Sequence, residues 1–175
     1  MNNLNYKKGF TIIETLVAVT ILMLAIVGPM TVSQKSLVAS LYAKDQIIAS
    51  YLAQDAMEYL KNKRDTYISV SSFANWVATY GVCTSANPCS VDTYQDTFDA
   101  PCINSCRIYD RGDRYSPSSA SASQTIYSRS FYIDNTASAT SDPSNEAKVV
   151  VRVWWQNSAT PSEVLIQSQF FNVSR

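Results

Sequence analysis

The sequence predicts an α+β fold, with one long N-terminal helix packed on a small antiparallel β-sheet. Three observations point there. From Phe10 to Met30 the chain carries a single charge, Glu14. Residues 31–65 then repeat apolar side chains at helical spacing. After residue 124, runs rich in β-branched and aromatic residues alternate with turn-rich segments.

The first helix is predicted in two halves. At 1.5 Å rise per residue, the 21 residues 10–30 span roughly 30 Å, the thickness of a bilayer core. They form a transmembrane half. In residues 31–65, Val38, Leu41, Ile48, Leu52, Ala56 and Tyr59 fall on one stripe, while Lys35, Lys44, Gln54, Glu58 and Lys61 fall elsewhere. This half is amphipathic, and its apolar stripe is free to cover a sheet. Gly28-Pro29 interrupts the run, because proline removes an intrahelical hydrogen bond and kinks a helix.

Before the span stand Lys7, Lys8 and Gly9. A secretory signal places its apolar region ahead of the cleavage point and loses it. Here the small residue precedes the apolar run, so cleavage after Gly9 would remove only a basic leader, residues 1–9. Glu14 would then be the fifth residue. A carboxylate at that depth costs about 2.5–3.5 kcal/mol on insertion scales, so it calls for a partner. The α-amino group of Phe10 in a neighbouring copy would serve.

Lys8-Gly9-Phe10-Thr11-Ile12-Ile13-Glu14 with Leu16 resembles the class III leader of type IV prepilins and type II secretion pseudopilins. The resemblance implies a pilin-like fold. It also implies cleavage between Gly9 and Phe10 by a membrane-embedded prepilin peptidase, followed by N-methylation of Phe10. Glu14 would set subunit register in a helical filament, and a proline near the depth of Pro29 would let the helix adapt on packing. Implied partners are other pilin or pseudopilin subunits, the peptidase, and an inner-membrane assembly platform with a separate ATPase. The segment Leu52–Leu60 with Arg64-Asp65 resembles the corresponding helix end of minor pilins and of I-type minor pseudopilins.

Charge bounds the partners. The chain holds 14 basic and 14 acidic residues. Losing the leader leaves 12 against 14, a net −2, which provides no electrostatic footprint for nucleic acid. Leader lysines beside a span place the N-terminus in the cytoplasm and export the rest, by the positive-inside rule. The expected location is thus a single pass through the inner membrane, then a periplasmic or cell-surface filament.

Residues 66–124 read as a variable region, with a short helix near 72–80 started by Ser71 and ended by Gly81. Beyond it, periodicity disappears. Cys83, Cys89, Cys102 and Cys106 lie there, and an even, clustered set in an exported domain reads as two disulfides with three possible pairings. A zinc site would need tighter spacing, and the chain has no histidine. Asp92, Asp96, Asp99, Asp110 and Asp113 lack the dense spacing of a calcium loop and read as solvated carboxylates. Arg107, Arg111 and Arg114 are interleaved with aspartates, and Arg111-Gly112-Asp113 reads as a glycine turn. Major pilins often carry a cysteine pair near the C-terminus. Here all four cysteines precede the strands, which favours a minor subunit.

Strands are predicted at 125–133, 147–156 and 163–172, joined as an antiparallel meander within 125–175. Val149, Val151, Val153 and Trp155 share the face that meets the helix. Trp154-Trp155 and Phe170-Phe171 place one ring on each sheet face. The outward ring meets either a neighbouring subunit or the 66–124 region.

Enzyme chemistry is absent from the pattern. Without histidine there is no imidazole base and no Ser-His or Cys-His pair, and four glycines make no phosphate loop. No cofactor or metal is expected. The sequence therefore predicts a structural subunit, with a tip adhesin or DNA-uptake module using the 66–124 region as the alternative.

Overall fold

A computed structural model describes residues 9–102, 106–120, 122–134, 145–156 and 161–173. The leader residues 1–8, with Lys7 and Lys8, lie outside the described residues, as does most of the 134–146 connection. The chain divides into two compact units, Met1–Lys44 and Asp45–Arg175.

Helix α1 spans Ile12–Val70. It begins where Thr11 leaves helical geometry and caps it. The Thr11 hydroxyl accepts the Glu14 N–H at 3.3 Å, one of the N–H groups that a helix start leaves unpaired. The helix runs without a break through Gly28 and Pro29, and it extends five residues beyond the predicted 65. A second cap follows at once. Ser72, rather than Ser71, starts helix α2 (Phe73–Tyr80), and its side chain accepts from the Asn75 N–H. Gly81 ends α2 in right-handed geometry, with its N–H on the Val77 carbonyl.

In the unit Asp45–Arg175 the strands are β1 (Ser90–Asp92), β2 (Thr97–Asp99), β3 (Arg107–Asp110), β4 (Tyr115–Ser116), β5 (Ser123–Asp134), β6 (Glu146–Trp155) and β7 (Ser162–Phe171). The last three match the predicted runs to within two residues at each end. They pair antiparallel in unbroken register, Phe131 opposite Val151 and Val151 opposite Ile166. The sheet has five strands in the order β4-β3-β5-β6-β7, and β1-β2 form a separate hairpin. The four early strands sit where the sequence shows no periodicity. Strands of two to four residues are too short to express a period of two, and tertiary pairing places them.

The core lies between α1, α2 and one sheet face. On α1, Ala49, Leu52, Ala53, Ala56, Met57 and Leu60 are buried. Three of these are alanines, which let the helix lie close to the sheet. On the sheet, Phe131, Val149, Val151, Val153 and Trp155 meet them, at the alternating positions that the pleat requires. Trp76 of α2 is fully buried among rings, 5.6 Å from Phe73, 5.6 Å from Tyr80 and 5.5 Å from Phe170. Phe170 is buried while Phe171 is half exposed, and Trp155 is buried while Trp154 is only partly so. Each aromatic pair therefore does divide between the faces.

Both disulfides form within the non-periodic region, Cys83–Cys89 and Cys102–Cys106. The first is tied to the sheet by backbone bonds: Cys89 exchanges N–H···O bonds with Phe131 at 2.9 and 2.8 Å, and the Ile133 N–H donates to the Cys83 carbonyl at 2.8 Å.

Two predictions follow from the packing. Trp76→Ala empties the centre of the ring cluster and should cost about 3–5 kcal/mol, read as a lowered urea midpoint with the disulfides intact. Tyr59, Tyr80 and Tyr127 all have pKa values raised above the ordinary 10.0, in each case chiefly because burial disfavours the phenolate. The unfolded chain loses these protons near pH 10 while the folded chain keeps them, so their contribution is complete below pH 10 and falls as pH rises above it. Alkaline titration should show tyrosinate absorbance rising together with loss of near-UV circular dichroism, and Tyr59→Phe should make that loss shallower.

Candidate functional site

The N-terminal candidate site starts at Gly9 and Phe10, ahead of the first turn of α1. Phe10 is 75% exposed and Ile12 is 87% exposed. Every described residue from Gly9 to Lys44 is exposed. The helix contains a stretch long and apolar enough to cross a membrane. So many bare apolar side chains are unfavourable in water and need hydrocarbon or other apolar helices around them.

The polar residues of the span are handled locally, with one exception. Thr15 donates to the Ile12 carbonyl and Thr20 to the Val17 carbonyl, each at 2.8 Å. Thr31, just past the span, donates to the Gly28 carbonyl at 2.8 Å. Such bonds back to the preceding turn leave a threonine compatible with an apolar surround. Thr11 is used as the cap. Among the described residues, Glu14 alone in this stretch has a side chain with no hydrogen bond or ion pair. It stands in the first turn, where the helix dipole favours a negative charge.

Thr11-x-x-Glu14 also spells the start of a helix, a local role that the sequence reading passed over. The signal was available in the spacing. Gly9 and Gly28 have open space where a Cβ would stand. Nothing within the described chain therefore requires glycine at either position.

In the unit Asp45–Arg175, the loop aspartates do not converge. Asp92 is buried and accepts from the Tyr94 and Gln95 N–H groups at 3.0 Å each and from the Ser116 hydroxyl at 2.6 Å. Asp96 pairs with Lys63 at 2.5 Å, and that hydrogen bond holds its carboxyl below the usual range. Asp110 accepts from the Gly112 N–H, and Asp113 pairs with Arg114. Among the described residues no three potential ligands share a metal position.

The arginines disperse as well. Arg111 donates to the Ala120 carbonyl, Arg114 lies 3.9 Å over the Tyr94 ring, and Arg107 lines a separate cleft. Arg111-Gly112-Asp113 forms the turn between β3 and β4, with Gly112 at φ 91. That left-handed geometry is what glycine supplies cheaply.

The residue that sequence reasoning missed is Arg129, fully buried on β5. Its guanidinium donates to Asp55 at 2.7 Å, to the Leu52 carbonyl at 3.0 Å and to the Val91 carbonyl at 2.9 Å. Asp55 is 49% exposed and also accepts from the Thr93 hydroxyl. Burial lowers the Arg129 pKa, opposed chiefly by Asp55. Arg129 shares the strand parity of Tyr127, Phe131 and Ile133, so a charge on the core-facing phase was the available signal. Arg129→Ala should remove three directed bonds and leave a buried void, costing about 2–5 kcal/mol. Asp55→Asn should cost less, because Asp55 keeps solvent contact; urea unfolding of the two variants checks the order.

Residues 4–28 match the family model of the prokaryotic N-terminal methylation motif. No curated protein and no solved structure matches the chain. The match covers Gly9, Phe10, Glu14 and the exposed apolar face that follows them. The chain thus carries the prokaryotic N-terminal methylation motif, the class III leader of type IV pilins and pseudopilins.

Proposed function

We propose that this chain is a structural subunit of a type IV pilus or of a type II secretion or competence filament, and a minor pilin or pseudopilin within it. Prepilin peptidase cleaves between Gly9 and Phe10, and Phe10 is then N-methylated. The mature helix joins other pilin or pseudopilin subunits, with an inner-membrane platform and a separate ATPase driving extrusion. Before assembly it rests as a single-pass anchor, N-terminus inside and the Asp45–Arg175 unit exported. It is a substrate of these reactions and not an enzyme.

The observation that carries the proposal is Glu14, the one polar side chain of the span with no hydrogen bond or ion pair among the described residues, surrounded by exposed apolar neighbours. In hydrocarbon it needs a cation. Cleavage at Gly9 creates one, the Phe10 α-amino group, on every mature copy. A partner in another subunit satisfies both charges and fixes the axial offset between helices. Gly28 and Pro29 are the place where the helix yields on packing, since Pro29 offers no N–H to the preceding turn.

The alternative reading, a tip adhesin or DNA-uptake module, draws no support for DNA from the dispersed arginines. Its one support is the cleft beside Arg107.

The test is intact-mass and N-terminal peptide analysis of the protein from its native membranes, with and without Glu14→Ala. Expected are a methylated Phe10 N-terminus in both forms and loss of most of the variant from sheared filaments. A leader retained in cells with active prepilin peptidase, or a variant that enters filaments normally, would remove the basis for this reading.

A further inference from the structure

A cleft of about 310 Å³ opens on the Asp45–Arg175 unit between the β1-β2 hairpin and β3. Its walls come from three parts of the chain: Ser90 and Asp99 of the β1-β2 hairpin with Pro101, Arg107 and Tyr109 of β3, and Pro117. Arg107 and Tyr109 stand on either side of Ile108, which is buried in the opposite direction. The rim is covalently braced. Cys89, bonded to Cys83, precedes Ser90, and the Cys102–Cys106 bridge joins the Pro101 wall to the foot of β3.

The polar groups of this cleft stand apart from the rest of the region. Asp92, Asp96, Asp110, Asp113, Arg111 and Arg114 all have partners in the protein. Arg107, Asp99 and Tyr109 make no side-chain hydrogen bond or ion pair among the described residues. A guanidinium in a half-buried wall favours a carboxylate or phosphate, which it can hold with two parallel N–H bonds. A carboxylate in the same cleft disfavours a dianion and calls for hydroxyl donors. Tyr109, Pro101 and Pro117 supply the apolar part of a mostly polar lining, a balance that suits a hydroxylated ring. The volume lies at the lower end of small-molecule sites, about 300–1,000 Å³, and takes one ring.

We infer that this cleft is a binding site for an acidic sugar unit of the hexuronate type. Arg107 receives the carboxylate, Asp99 accepts ring hydroxyls and Tyr109 packs against the ring. The preformed, disulfide-braced walls limit the ordering cost of binding. The inference goes beyond the filament assignment and does not depend on it: processing at Phe10 and sugar binding are read by separate measurements.

The experiment is calorimetric titration of the full chain in neutral detergent micelles with D-galacturonic acid, with D-galactose and glycine as controls. Expected is saturable binding to the uronic acid, weakened roughly tenfold or more when Arg107→Gln removes the charged donor and by a similar factor for D-galactose. Asp99→Asn, at an exposed position, should weaken binding without changing the unfolding midpoint. Unaltered near-UV circular dichroism of Arg107→Gln confirms that the fold is intact. No saturable binding up to about 50 mM, equal binding of D-galactose, equal binding of glycine, or an unaffected Arg107→Gln would each overturn the assignment.

Discussion

The guanidinium of Arg129 is the contact on which the Asp45–Arg175 unit depends. It reaches α1 through the Leu52 carbonyl and Asp55, and β1 through the Val91 carbonyl, from the middle of β5. A buried arginine is expensive, and its mutual attraction with a carboxylate repays the desolvation only when the remaining donors are filled. Here two carbonyls and one carboxylate take three of the five N–H donors, and Nε has no partner. Replacing such a contact by well-packed apolar residues is often neutral or stabilising, so its bonds are better read as direction than as net stability. An aliphatic side chain tolerates sliding of the helix over the sheet, whereas three directed bonds do not.

The same logic of directed bonds governs the region between α2 and β5. Cys83, Cys89, Val91 and Ile108 reach the shared core, but most of the region is polar and is not held by burial. It is held instead by the Cys83–Cys89 bridge with its backbone bonds to β5, by the Asp92–Ser116 bond, and by the Lys63–Asp96 pair to α1. The first lies in the core and is the strongest. The last is at the surface and contributes little. The consequence is a rim of polar loops around the Arg107 cleft, fastened to the core by Val91, Ile108 and the Cys83–Cys89 bridge.

The unit Met1–Lys44 obeys the opposite constraint. Its described residues, 9–44, are all exposed, and so many apolar side chains call for hydrocarbon or other apolar helices around them. Glu14 is the one charge in its apolar stretch, and in hydrocarbon a carboxylate is costly without a partner.

Much of this was legible in the sequence. The apolar stretch, the leader motif and the strands β5, β6 and β7 could be read because each depends on a local or short-period pattern: an uninterrupted apolar run, a short motif, an alternation of apolar and polar residues. The strands β1 to β4 could not, since two to four residues carry no period and their hydrogen bonds come from partners far along the chain. Disulfide pairing could not, since four cysteines allow three connectivities and only proximity selects one. Arg129 lay between. Its parity marked it as facing the core, but the groups that make that position tolerable sit 74 residues away on Asp55 and 38 residues away on Val91. Local chemistry and periodicity are properties of the sequence. Which distant groups meet is settled only when the helix, the hairpin and the sheet are brought together.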